Sequence, residues 1–214
     1  ATRQNIRVIP APTPESNLQN GTTELRTELD LPQNKNLLLF FGGLRYEKGP
    51  DILASMAQDL DFPLVILYAG SPIDFDKSDV CEWKEAVSSP VNIINRLEYI
   101  SDEAVDKYFA AADALVLPYR RTRGISGPLR RAAMVGTPIV GPTQSDIGEL
   151  IEKNELGKTF SLGDSNSFRD ALIDVLRKKR DRESALQEFA MSRRWTETGS
   201  ALVEIYMDCL NTNP

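Results

Sequence analysis

From residue 37 onward, short continuous apolar runs alternate with segments whose apolar residues recur at helical spacing. The runs are Leu37 to Phe41, Leu64 to Tyr68 and Ala114 to Leu117, and strands are also read at Val91 to Ile94, Thr137 to Gly141 and Lys158 to Phe160. Such runs are the mark of strands covered on both faces, as in a parallel sheet. Between them lie helical patterns. Ile52, Leu53, Met56 and Leu60 define one, Val80 to Val87 a second, and Ala104, Val105, Tyr108 and Phe109 a third, behind a Ser101-Asp102-Glu103 cap. Pro128 to Val135 and Ile147 to Lys153 continue the alternation. Upstream, Asn5 to Pro10 reads as a short alternating strand closed by proline, Ala11 to Asn20 as a loop, and Thr23 to Asp30 as one or two helical turns before Pro32. Downstream, Phe168, Leu172, Val175 and Leu176 mark an amphipathic helix. Ala185 to Ala190 is helical, and Ala201 to Leu210 a last helix with Leu202, Ile205, Tyr206 and Cys209 on one face. Repeated β-α units with buried strands predict an α/β protein, a doubly wound parallel sheet flanked by helices, in a single domain over 1–214.

Composition narrows the function. At 214 residues, 41% hydrophobic and 26% charged, the chain suits one well-buried globular domain. No apolar run approaches the roughly 20 residues that span a bilayer. Ala1 to Arg7 is polar and shows no signal peptide. A net charge of -6 argues against nucleic acid as a partner, since that affinity comes from neutralising phosphates. A local cationic pocket for one small anion is compatible with it. Cys81 and Cys209 lie far apart and suggest a reducing, cytoplasmic setting, with neither a disulfide framework nor a metal site. With no histidine, the usual zinc motifs and Ser-His-Asp chemistry are absent. Catalysis then falls to carboxylates, cations, backbone amides or substrate groups, with no metal.

Ligands of such sheets gather at the carboxyl ends of the strands. Three loops fit: Gly42 to Gly49, the segment around Asn95 to Ser101, and Pro118 to Gly127. In the first, Gly42 and Gly43 allow a sharp turn and close approach to the main chain. Arg45 and Lys48 follow, and Pro50 suits the first position of a helix. These cations are anion ligands or simply the solvated charges of a strand-to-helix turn. In the third loop, Gly124, Ile125, Ser126 and Gly127 precede a helix, where free N–H groups and the helix dipole favour an anion. Arg120, Arg121 and Arg123 add charge there, although a solvated rim is an equal reading for Arg121 and Arg130. Glu149, just after Ser145-Asp146, is a helix-dipole partner or a ligand contact. Neither Gly-x-Gly-x-x-Gly nor Gly-x-x-x-x-Gly-Lys-Ser/Thr occurs, so neither a nicotinamide site nor a P-loop is supported.

These residues resemble a known family. Phe-Gly-Gly-Leu-Arg-Tyr-Glu-Lys-Gly-Pro-Asp (41–51) is similar to the donor-site loop of the retaining GT-B glycosyltransferases called family 4, or group 1. The likeness continues through Tyr-Ile-Ser-Asp-Glu-Ala-Val (99–105), Tyr-Phe-Ala-Ala-Ala-Asp-Ala-Leu-Val-Leu-Pro-Tyr (108–119), Ala-Ala-Met-Val-Gly-Thr-Pro-Ile-Val-Gly (132–141) and Ser-Asp-Ile-Gly-Glu-Leu (145–150). The resemblance implies one Rossmann-like half of a GT-B fold, the half that binds the nucleotide-sugar. The chain is then a donor-binding domain cut from a larger protein or separately encoded, since Ala1 is not a natural initiator. Residues 1–20 would be the linker-like lead-in, and 195–214, beginning at Trp195, a helix that packs on a missing N-terminal domain.

By the same resemblance, Arg45 and Lys48 contact the diphosphate of a UDP- or GDP-linked sugar and stabilise it as it leaves. The amides of Gly124 to Gly127 assist, and Leu97, Tyr99 and Ile100 lie near the base. The reaction it implies transfers the sugar to a glycan or lipid, needs no cofactor and is inactive in the isolated domain. A peripheral membrane contact at the inner face would run through the missing domain. One departure stands out. The family usually carries Glu, seven residues, Glu in the third loop, the second binding the ribose hydroxyls, and here the two positions are Arg123 and Arg131. A guanidinium cannot accept hydrogen bonds from a diol. Arg131 therefore binds something else, points away or marks a weakened site, while Ser126-Gly127 fits a Ser-Gly variant of the loop. Both arginines would suit an acidic sugar, by bidentate pairing with a carboxylate. Two other readings stay open: a non-catalytic GT-B-like module that binds a partner, and a sugar-nucleotide epimerase, which the lack of histidine disfavours.

Overall fold

The computed structural model describes residues 7–16, 18, 21–121 and 126–211. The apolar runs become strands β1 (Asn36–Phe41), β2 (Leu64–Ala69), β3 (Val91–Arg96), β4 (Ala114–Val116), β5 (Ile139–Pro142) and β6 (Gly157–Phe160). They form a six-stranded sheet in the order β3-β2-β1-β4-β5-β6, and every pairing is parallel. The helices are α1 (Thr22–Glu28), α2 (Pro50–Ala57), α3 (Lys77–Ala86), α4 (Asp102–Ala111), α5 (Gly127–Met134), α6 (Asp146–Lys153), α7 (Ser165–Arg177), α8 (Glu183–Met191) and α9 (Trp195–Asn211).

Successive strand residues supply opposite faces. Leu37 and Leu39 join one core with α1, α4, α5, α6 and α8, while Leu38 and Phe40 join a second core with α2, α3 and α7. Both faces being covered is why β1 and β2 are apolar without alternation, whereas the edge strands β3 and β6 carry partly exposed polar residues.

The structure corrects several boundaries. The strand expected over Asn5 to Pro10 does not form among its described residues, 7–10, and Val8 is 86% exposed. No sheet edge receives this segment; it is tied down by other contacts instead. Arg7 pairs with Asp208 of α9 at 2.6 Å, Arg130 donates to the Pro12 carbonyl, and the Thr13 N–H donates to the Arg193 carbonyl at 2.6 Å. Helix α3 starts at Lys77, ahead of Val80, because Asp76 caps it, accepting from the Ser78 N–H at 2.7 Å. Thr137 precedes β5 and is buried, its hydroxyl donating to the Phe109 carbonyl at 2.7 Å. Helix α9 begins at Trp195, well before Ala201, and Trp195, Tyr206 and Leu210 of it are exposed. Cys81 and Cys209 are both on the surface.

A charged knot closes the amino edge of the sheet. Asp113, just ahead of β4, accepts from the Leu37 N–H at 2.8 Å and pairs with Arg26 at 2.7 Å and Lys179 at 3.2 Å. Arg26 is buried and also donates to the Ala111 carbonyl at 2.9 Å, at the end of α4. One side chain thus serves a helix C-terminus whose carbonyls lack intrahelical donors.

Candidate functional site

The sheet order reverses between β1 and β4, which are neighbours although β2 and β3 intervene in sequence. Helix α2, after β1, packs on one face and α5, after β4, on the other. A crevice opens at the carboxyl end of such a pair, and ligands of open α/β sheets bind there. Here the first loop and the described ends of the third, residues 118–121 and 126–127, stand at its two sides.

The first loop leaves β1 through Gly42, whose φ of 109° suits glycine. Its N–H donates to the Ala69 carbonyl at 2.8 Å, keeping the turn against β2. Leu44 is fully buried and anchors the loop, and Tyr46–Lys48 form a short 3-10 turn. That turn folds the Lys48 ammonium back over Gly42, where a Cβ would lie 2.7 Å from Nζ. A flexible lysine end can yield to a Cβ, so it is the backbone angle that calls for glycine at 42. Burial first, and then the neighbouring Arg45, lower the Lys48 pKa against the opposing effect of Glu47. Neither Arg45 nor Lys48 has an ion pair or a side-chain hydrogen bond among the described residues. Two adjacent cations that no carboxylate bonds can attract an anion, although the Glu47 charge lies near Lys48.

The third loop is seated on the first. Gly49 has a φ of 65°, and a Cβ there would lie 2.1 Å from the Pro118 carbonyl oxygen. Alanine at 49 is therefore expected to destabilise the fold by about 1–3 kcal/mol through the left-handed backbone alone, and more through the clash. Urea denaturation measures it; an unchanged midpoint would contradict the close approach of the two loops.

Arg120 carries the rest of the contact. It pairs bidentately with Asp51 at 2.8 and 2.5 Å, donates to the Tyr46 carbonyl at 2.7 Å and stacks 4.0 Å from the centre of the Tyr46 ring. The backbone N–H groups of Arg120 and Arg121 both reach the Glu47 carbonyl, at 2.9 and 3.4 Å. Burial pushes the Asp51 carboxyl up, but Arg120, with the N–H groups of Asp51 and Ile52, outweighs it and holds the carboxyl below its ordinary range. Arg120 is accordingly not a free cation, and sequence pattern offered no signal for a partner on another loop.

At the head of α5, Ser126 is buried and its hydroxyl accepts from the Leu129 N–H at 3.4 Å, with the Tyr119 hydroxyl 3.5 Å away. Burial raises the Tyr119 pKa to about 12, so that hydroxyl keeps its proton. Pro128 has no N–H and that of Leu129 is taken, so Gly127 is the first-turn amide left for a ligand. Arg123, Gly124 and Ile125 lie outside the described residues.

Arg131 does not face the crevice as a free charge. It bonds Asp106 at 2.8 Å and Asp102 at 3.3 Å, both on α4. Of the three alternatives for this residue, binding something else is the one observed, and its charge is unavailable to an acidic sugar. Arg130, for which a solvated rim is one of two readings, donates to the Pro12 carbonyl. Leu97 and Ile100, after β3, pack partly into opposite cores, while Tyr99 between them is 80% exposed. Glu149 is exposed in the first turn of α6. The candidates therefore line one sheet edge, with Arg45, Lys48 and Gly127 at the crevice and Tyr99 and Glu149 on its two flanks. Among the described residues, no group of three or more His, Cys, Asp or Glu could hold a metal ion.

Comparison with known proteins bears on the family and the fold. Residues 35–178 match the family described as glycosyl transferases group 1. The chain is 23% identical over 200 residues to a D-inositol 3-phosphate glycosyltransferase of Corynebacterium urealyticum, covering 88% of this chain and 46% of that protein. It thus spans about half the length of the relatives it matches. Among solved structures, sucrose-phosphate synthase from Thermosynechococcus elongatus superposes with a TM-score of 0.73 at 19% identity, over 97% of this chain and 53% of that one. HepE of Anabaena, in complex with UDP, gives 0.71 at 16%, over 87% and 52%. The C-terminal domain of the group 1 protein LpcC from Francisella tularensis gives 0.63 at 17%, over 85% of this chain and 92% of that one.

Proposed function

The chain belongs to the group 1 glycosyltransferases, and from that premise we propose that it is the donor-binding half of a retaining GT-B enzyme. Its substrate is a nucleotide-diphosphate sugar, UDP- or GDP-linked, and the acceptor is met by a second Rossmann-like half. The observation that carries this reading is the pair Arg45 and Lys48, two cations without an ion pair among the described residues, with Lys48 over Gly42 at the switch point of the sheet. The likeness to HepE with UDP supports the ligand class, and the likeness to the LpcC C-terminal domain supports the half.

Breaking the bond between the sugar and the diphosphate loads negative charge onto the leaving oxygen. In this reading Lys48, Arg45 and the Gly127 amide donate to that charge, and the half-buried Lys48, folded over Gly42, needs little reorganisation as it develops. Tyr99 offers an exposed ring at the flank for the base, with Leu97 and Ile100 holding its loop. The isolated half lacks the acceptor side of the cleft and is inactive alone. Among the described residues, no helix is long and apolar enough to cross a membrane.

Calorimetric titration of UDP and GDP into the chain tests the proposal. One of them is expected to bind saturably, to be displaced by pyrophosphate, and to bind equally well in EDTA. Binding of neither nucleotide would remove the donor-site reading. A second reading, a non-catalytic module that binds a partner protein, is favoured by one observation: Arg131 is spent on Asp102 and Asp106. It would be adopted if nucleotides failed to bind and a partner bound through this edge.

A further inference from the structure

Two loops that meet at a crevice hold a ligand only if something fixes their separation. Residues 118–121 and 46–51 come from strands that are far apart in sequence, yet one side chain touches both chain segments at several points. The Arg120 guanidinium spans the Asp51 carboxylate, the Tyr46 carbonyl and the Tyr46 ring, while its own N–H reaches Glu47. Those groups bracket Lys48: Tyr46 and Glu47 open its 3-10 turn, and Asp51 lies just past Gly49 in the first turn of α2. Lys48 itself has no carboxylate to hold its ammonium, so its place over Gly42 depends on the backbone of that turn.

We infer that Arg120 is a positioning residue for the anion site, acting through the Tyr46–Lys48 turn to hold the Lys48 ammonium over Gly42. This deepens the donor-site reading and rests on it. Arg120 has no charge to offer a phosphate while it forks across Asp51, whose two oxygens it occupies. A lysine could restore the charge but not the fork, because an ammonium is a point charge without the planar pair of donors.

The test separates the diphosphate end from the rest of the site. Wild type, Arg120→Met, Arg120→Lys and Asp51→Asn are titrated with UDP, uridine and inorganic pyrophosphate, with GDP and guanosine if that base is preferred. Arg120→Met and Asp51→Asn are each expected to weaken UDP and pyrophosphate about tenfold, the size typical of coupling between contacting residues. Nucleoside affinity should stay within twofold, and Arg120→Lys should not restore the diphosphate affinity. Equal losses for uridine and UDP would make Arg120 merely structural and overturn the inference. So would undiminished pyrophosphate binding in folded Arg120→Met or Asp51→Asn protein. Should Arg120→Met not fold, Asp51→Asn, which keeps side-chain size and removes the charge, decides alone. Failure of wild type to bind any nucleotide or pyrophosphate is a different result, which removes the donor-site reading and the inference with it.

Discussion

Replacing Arg45 and Lys48 together by alanine is expected to lower affinity for UDP or GDP at least a hundredfold. A hydrogen bond to a charged group contributes about 1.5–3 kcal/mol, so two of them correspond to roughly two to four powers of ten. Lys48→Ala alone should carry the larger share. Its ammonium is half-buried and held against Gly42, whereas Arg45 is exposed and less ordered by its surroundings. The lowered Lys48 pKa adds a signature that a surface lysine would lack. Phosphate needs the charged form, so affinity should fall with rising pH before the ordinary lysine range is reached. In Lys48→Ala that part of the pH dependence should vanish. Calorimetry across alkaline pH measures both; equal affinity in the double variant and wild type would exclude these cations from the site.

Asp113→Asn is expected to destabilise the fold by about 3–5 kcal/mol, the usual consequence of stranding one partner of a buried ion pair. Asparagine can still accept from the Leu37 N–H, but Arg26, with a side chain only 6% exposed, keeps a buried charge without its counterion. Against a total stability of about 5–15 kcal/mol for a domain, the loss should be plain in urea denaturation. A double variant, Arg26→Met with Asp113→Leu, should lose less than the single one, because no unpaired charge remains. Burial pushes the Asp113 carboxyl up, but Lys179, the Leu37 N–H and Arg26 outweigh it and hold it below the ordinary carboxylate range. A depressed native value stabilises the fold above the unfolded value of about 3.9, and that stabilisation disappears as pH falls through the native one. Wild type should therefore lose stability in acid more steeply than Asp113→Asn. Identical acid profiles would contradict the network.

This knot and the anion site occupy opposite edges of the sheet, so the two predictions are separable. Asp113→Asn protein, kept folded at neutral pH, should bind nucleotide as wild type does.

Hydrophobic periodicity determined most of the architecture. Runs such as Leu37 to Phe41 and Leu64 to Tyr68, too continuous for a half-exposed sheet, required cover on both faces, and the helical spacing between the strands supplied it. Arg45 and Lys48 were legible as candidate anion ligands for an equally local reason: strand, glycines, cations and helix start follow one another within one loop. The segment from Asn5 to Pro10 misled because alternation shows that a strand is suitable, never that a sheet edge is free to receive it. Which arginine stays free was beyond sequence altogether. Arg120, Arg130 and Arg131 look alike as a basic run beside a glycine-rich turn. Asp51, the Pro12 carbonyl and the pair Asp102 and Asp106 claim them one by one. Those partners are brought into reach by the order of the strands and the packing of α4 on α5. A side chain's charge is set by its type, but whether that charge is available to a ligand depends on what the fold places within hydrogen-bonding distance.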